Sequence, residues 1–128
     1  MMLNSVIAIS VGASFGAVTR WLLGTALNAL FPTIPPGTLV ANLLGGYLIG
    51  LAIAYSANNA ALPAEWRLFV ITGFLGAMTT FSTFSAEVTT LIQQGRVAWA
   101  GAEIAAHVIG SVTMTMLGLA TMALLARA

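Results

Sequence analysis

The fold turns on one short run, Pro32-Thr33-Ile34-Pro35-Pro36-Gly37. Three prolines and a glycine so close together cannot continue a helix, because proline removes an N–H donor and its ring collides with the preceding turn. The run stands inside residues 21–64, the longest part of the sequence without a charged side chain. A bilayer-crossing helix needs roughly 20 mostly apolar residues. Cut at the prolines, this segment supplies the end of one span and the whole of the next.

The remaining charges divide the rest of the chain. Arg20, Glu65, Arg67, Glu87, Arg96, Glu103 and Arg127 are all there are, 5% of 128 residues, against 59% hydrophobic side chains. An ordinary soluble domain carries about 25% charged residues. The composition and the mean hydropathy of +1.00 exclude a soluble monomer and point to lipid as the main solvent. Between the charges lie uncharged stretches at 1–19, 68–86 and 104–126. The reading is an all-α membrane protein, a single four-span transmembrane domain over residues 1–128, with spans near 3–30, 37–55, 65–94 and 97–126. Pro63 suits the turn that starts the third helix, and Gly95 in Gln93-Gln94-Gly95-Arg96 suits a helix stop. The first apolar stretch lacks a basic start and runs on too long for a secretory signal.

Composition also removes whole classes of chemistry. The sequence has no cysteine, so disulfides, thiolate metal sites and a thiol nucleophile are out. One histidine with Glu87 and Glu103 makes no nucleophile–base–orienter set. A phosphate-cradling Gly-rich loop is absent, which leaves nucleotide-driven pumping without support. There is no basic patch for nucleic acid.

The arginines leave orientation undecided. With four spans, both termini and the middle loop share a side, which holds Arg67 and Arg127; Arg20 and Arg96 belong to the other. Positive residues normally fix topology by gathering on the cytoplasmic side, and here the tally is even. That predicts insertion both ways up and pairing as an antiparallel homodimer; a fixed topology that the charges do not reveal is the alternative.

Small residues at four-residue spacing, Gly12 with Gly16 and Gly46 with Gly50, predict close helix–helix approach. Met114, Met116 and Met122 read as lipid-facing or core filler. Polar groups within the spans are candidates for function. Arg20 fits either an anchor reaching the headgroups beside Trp21 or a functional charge. Asn42 shares a helix face with Thr38 and offers two N–H donors to an anion, or pins two helices. The densest signal is Thr72-Gly73-Phe74-Leu75-Gly76-Ala77-Met78-Thr79-Thr80-Phe81-Ser82-Thr83-Phe84-Ser85-Ala86-Glu87. Its two glycines and following hydroxyl residues predict an interrupted helix, whose freed carbonyls can hold a cation and whose N–H groups can meet an anion. Phe81 and Phe84 face one way after the interruption, with partly positive ring edges available to a small anion; core packing is the ordinary reading. Glu87 continues their stripe. On the last helix Glu103, His107 and Ser111 share a face, with Glu103 expected near the interface and His107 either packing or carrying protons.

These motifs resemble the Fluc (CrcB) family of fluoride channels over nearly the whole chain. The resemblance rests on Gly12-x-x-x-Gly16-x-x-x-Arg20, on Pro36-Gly37-Thr38-Leu39 leading to Asn42, and above all on the 72–87 run. It implies an antiparallel dual-topology homodimer with two pores in the bacterial inner membrane. It implies a structural Na⁺ at the dimer centre on the backbone carbonyls of Gly76 and Thr79. It places the fluoride path along Asn42, Phe81 and Phe84, continuing through Thr38, Glu87 and Ser111. Glu103 and His107 occupy positions where the family pattern has hydroxyl-bearing residues. The rival readings are a small dual-topology, proton-coupled exporter of lipophilic cations working through Glu87, and a membrane subunit without transport of its own.

Overall fold

The computed structural model describes residues 1–128 as helices joined by short connections, with no strand. Helix α1 (Met2–Leu27) runs into a single 3₁₀ turn at Asn28–Leu30, and α2 covers Pro36–Asn58. The third span opens with α3 (Ala64–Arg67), widens into a π-helical stretch at Leu68–Leu75, and continues through α4 (Gly76–Met78) into the helix after Thr80. Helix α5 (Phe81–Gln93) follows, and α6 (Val97–Leu125) ends the chain. Four helical segments, Met2–Leu30, Pro36–Asn58, Ala64–Gln93 and Val97–Leu125, are long and apolar enough to cross a membrane.

The Pro-rich turn works as the sequence predicts, with Pro36 at the first position of α2, where a missing N–H costs nothing. Its cap comes from the preceding helix. Asn28 Oδ1 accepts the N–H groups of Gly37 at 2.7 Å and Thr38 at 3.2 Å, satisfying two orphan donors of α2. At the other end of the bundle Gly95 has φ +72°, a left-handed conformation that favours glycine. The N–H of Arg96 reaches Leu91 O and that of Gly95 reaches Ile92 O, both at 2.9 Å, which closes α5 in a Schellman motif.

Two seams hold the bundle. Helix α2 packs on α6, and α1 packs on the first half of the third span. Glycine sets the spacing of both. A Cβ on Gly50 would meet the carbonyl oxygen of Thr115, and one on Gly118 would meet that of Tyr47. Gly12 and Gly16 face the carbonyls of Phe69 and Phe74 in the same way. Lipid offers no hydrophobic drive for helix pairing, so backbone-to-backbone van der Waals approach has to supply it. The small-residue motifs therefore serve contacts inside one chain.

Few side chains are buried, and large apolar residues such as Val6, Phe15, Leu22, Ile109 and Met116 point outward. The molecule is a multi-pass membrane protein. The methionine that fills the interior is Met78, 1% exposed, between Leu75 and Ala52.

The glycines of the 72–87 run do not interrupt the helix themselves. Gly73 stays helical, and its missing Cβ lets α1 approach, with Ile9 O at 2.6 Å from where that carbon would stand. The backbone leaves helical geometry two residues after Ala77, at Thr79 (ψ 156°) and Thr80 (φ −152°, ψ 112°).

Candidate functional site

Two extended residues inside an apolar bundle expose peptide groups that a helix would have paired, and each needs a partner. Asn42 on α2 supplies one. Its Oδ1 accepts the Thr80 N–H at 2.7 Å and its Nδ2 donates to Thr80 O at 3.1 Å. The side-chain amide thereby clasps both polar groups of Thr80. Thr80 in turn caps α5: its Oγ1 accepts the Thr83 N–H at 3.1 Å and donates to Thr83 Oγ1 at 3.0 Å. Arg20 reaches this same step. Its Nε donates to Ala77 O at 3.1 Å, so it binds a carbonyl at the end of α4.

These bonds leave two carbonyls without their helical donors. The N–H that would continue the helix onto Gly76 O is that of Thr80, and it goes to Asn42. The one for Thr79 O belongs to Thr83, and it goes to Thr80 Oγ1. Gly76 and Thr79 both line a cavity of about 450 Å³ with Asn42, Phe81, Phe84 and Ser111. Of the residues expected on an anion path, four therefore meet in one space. Phe81 and Phe84 lie 5.4 Å apart in an edge-to-face arrangement at 67°. Their environments differ: Phe84 is buried, whereas Phe81 is 76% exposed at the cavity rim.

Thr38 and Glu87 lie outside that cavity and pair with each other, Thr38 Oγ1 donating to Glu87 Oε1 at 2.7 Å. Thr38 borders a second cavity of about 500 Å³ with Arg20, Thr80 and Thr83. Glu87 borders a third, of about 300 Å³, beside Arg96. Thr80 lines both the first and the second, so the Asn42–Thr80 clasp stands between them.

Glu103 departs from expectation. Although it is only seven residues into α6, it is 0% exposed and both carboxyl oxygens lack a hydrogen-bond partner. The helix turns this face toward α5, where Glu103, Glu87 and a ring nitrogen of His107 lie within 4.8 Å of one another. His107 is equally buried. Its ring lies 4.7 Å from that of Phe84, and its Nδ1 is 3.0 Å from Asn42 Nδ2. The trio has the donor atoms of a metal site, but the hydrogen bonding argues against that use. Nδ1 faces a donor and so presents its lone pair to Asn42, which puts the ring proton on Nε2; neither nitrogen is free to coordinate.

A family model described as CrcB-like protein, Camphor Resistance (CrcB), matches residues 7–119. The chain belongs to the CrcB family. Among its relatives in that family, a Tolumonas auensis protein named fluoride-specific ion channel FluC is 73% identical over 126 residues, covering 98% of this chain and 99% of that protein. Proteins of the same name from Pseudomonas syringae pathovar maculicola and Pseudomonas paraeruginosa are 63% and 60% identical, over 92% and 94% of the chain and 93% and 95% of their own lengths. Within this CrcB chain, sequence reasoning had singled out Asn42 and the phenylalanines. It misses Thr80 as the partner of the Asn42 amide, although a hydroxyl residue three before Thr83 is a recognisable N-cap signal.

Proposed function

We propose that the chain is a passive fluoride-selective ion channel of the bacterial inner membrane that lets cytoplasmic fluoride out. One observation carries the reading: a relative named as a fluoride-specific channel shares 73% of its residues along essentially both whole chains. The cavity gives that name a physical basis. Fluoride is small and strongly hydrated, so a pore must replace its water with several donors, each weak enough to release it. Asn42 offers a neutral N–H held in place by main chain, Ser111 a hydroxyl, and Phe81 and Phe84 ring edges of partial positive charge. Thr38 and Glu87 extend the polar line beyond the clasp. No step requires bond chemistry. Hydrogen fluoride enters cells as a neutral acid and ionises inside, and the negative-inside potential then drives the anion out.

The working form is an antiparallel, dual-topology homodimer. The even split of arginines supports it, and so does Phe81, an aromatic residue at the rim of a polar cavity that a single copy leaves 76% exposed. The third-span interruption is the natural centre. The carbonyls of Gly76 and Thr79 fit a hard cation, since each has lost its helical donor and is an oxygen ligand without a competing hydrogen bond. Na⁺ held there by both copies would offset the dipoles of those carbonyls and tie the two third spans together.

Fluoride efflux from liposomes holding the purified protein, followed with a fluoride electrode, tests the reading. Fast, electrogenic release that excludes chloride supports it. Electroneutral exchange that follows a proton gradient, or no flux, refutes it.

A further inference from the structure

The Asn42 amide has only one possible orientation. The Thr80 N–H can only donate, so the atom it meets at 2.7 Å is Oδ1, and the atom 3.1 Å from Thr80 O is Nδ2. Nδ2 carries two hydrogens. One goes to Thr80 O and the other faces His107 Nδ1 at 3.0 Å. An anion that takes a hydrogen bond from Asn42 must displace one of these two acceptors. Displacing Thr80 O undoes the clasp and strands a main-chain carbonyl of a buried residue, which is expensive. Displacing His107 asks only that an imidazole yield.

We infer that His107 sets the fluoride affinity of the pore: its Nδ1 holds the spare Asn42 N–H while no ion is present and surrenders it to fluoride. This inference rests on the channel reading above. The surroundings of the ring suit the task. It packs against Phe84, the second aromatic residue of the path, at 4.7 Å and 31°. Its Nε2 makes no hydrogen bond, so turning the ring breaks no second bond. The other titratable groups facing it are Glu87 on α5 and Glu103 on its own helix.

His107 is the only histidine, so ¹⁵N-histidine labelling yields a single side chain to observe in the intact protein. NMR of the wild type in lipid nanodiscs without fluoride should show a bare Nδ1 and a protonated Nε2. Sodium fluoride should then shift the Nδ1 signal saturably, and sodium chloride should leave it in place. A ring protonated on Nδ1 in the absence of fluoride, or an Nδ1 signal indifferent to fluoride, overturns the inference without any variant having to fold. Flux supplies the second arm. His107→Phe keeps a ring against Phe84 and removes the competing acceptor, so the half-saturating fluoride concentration should fall by about 2- to 10-fold, the worth of one net hydrogen bond. His107→Asn restores an acceptor near the Nδ1 position and should return the half-saturation to the wild-type value. A change confined to maximal flux would mark His107 as a mere brace and overturn the inference. A wild type that passes no fluoride sinks the channel reading and this inference with it; a conducting wild type with an indifferent His107 sinks this inference alone.

Discussion

Replacing Asn42 by leucine keeps the volume and deletes the clasp, and the cost can be worked from the structure. Three hydrogen bonds disappear, at 2.7, 3.1 and 3.0 Å. Two of them leave main-chain groups of Thr80 unpaired, and Thr80 is only 8% exposed. A buried donor or acceptor stripped of its partner costs about 1–3 kcal/mol, so the two together cost about 2–6 kcal/mol. That is a large share of the roughly 5–15 kcal/mol that holds a typical domain together. A control fixes the scale. Tyr47 Oη donates to Thr121 Oγ1 at 3.1 Å, a bond between two side chains on different helices. Such bonds in membranes average about 0.6 kcal/mol, because the unfolded chain in lipid finds other partners. Unfolding free energies in mixed detergent micelles should therefore show Asn42→Leu at least three times as destabilising as Tyr47→Phe. Equal losses would refute the claim that Asn42 works by satisfying the main chain of Thr80.

Other consequences can be checked with the same preparations. Gly50→Ala should destabilise by several times the ordinary helix effect, since the new Cβ meets Thr115 O and pries α2 from α6; Gly101→Ala meets nothing within 4 Å and should stabilise α6 by about 0.5–1 kcal/mol, both read by unfolding in micelles. Phe81→Ile and Phe84→Ile should each reduce fluoride flux from liposomes while gel filtration keeps the wild-type elution volume, and unchanged flux in both would remove the rings from the mechanism. Replacing Na⁺ by a large organic cation on both sides should slow fluoride efflux and loosen the proposed dimer, whereas indifference to sodium would count against the Gly76 and Thr79 carbonyls as its ligands.

The helices were legible because lipid makes the rule simple. Charges mark where the chain leaves the bilayer, and the 32–37 prolines and Gly95 mark the turns. Asn42, Phe81 and Phe84 stood out as polar or aromatic groups in company that local pattern makes visible, and they meet in one cavity. What stayed hidden depends on partners far away in sequence. Asn28 caps a helix that starts after the proline turn, and Arg20 reaches across 57 residues to Ala77. Glu103 looked interfacial from its place near the start of α6, yet helix rotation turns it onto Glu87 and His107. The glycines of the third span looked like the interruption because glycine is a poor helix former, but packing against α1 explains Gly73. The extended step fell to the two threonines, where Asn42 could answer the N–H and C=O of Thr80.

The proposed function is passive, selective passage of one halide. Its most direct test is the reversal potential of currents carried by the purified protein in a planar bilayer, with a tenfold fluoride gradient across it and chloride equal on both sides. Reversal is expected near the fluoride equilibrium potential, about 59 mV from zero for a singly charged ion. Reversal at zero with substantial current, or movement of the reversal potential with a pH gradient instead, would contradict it.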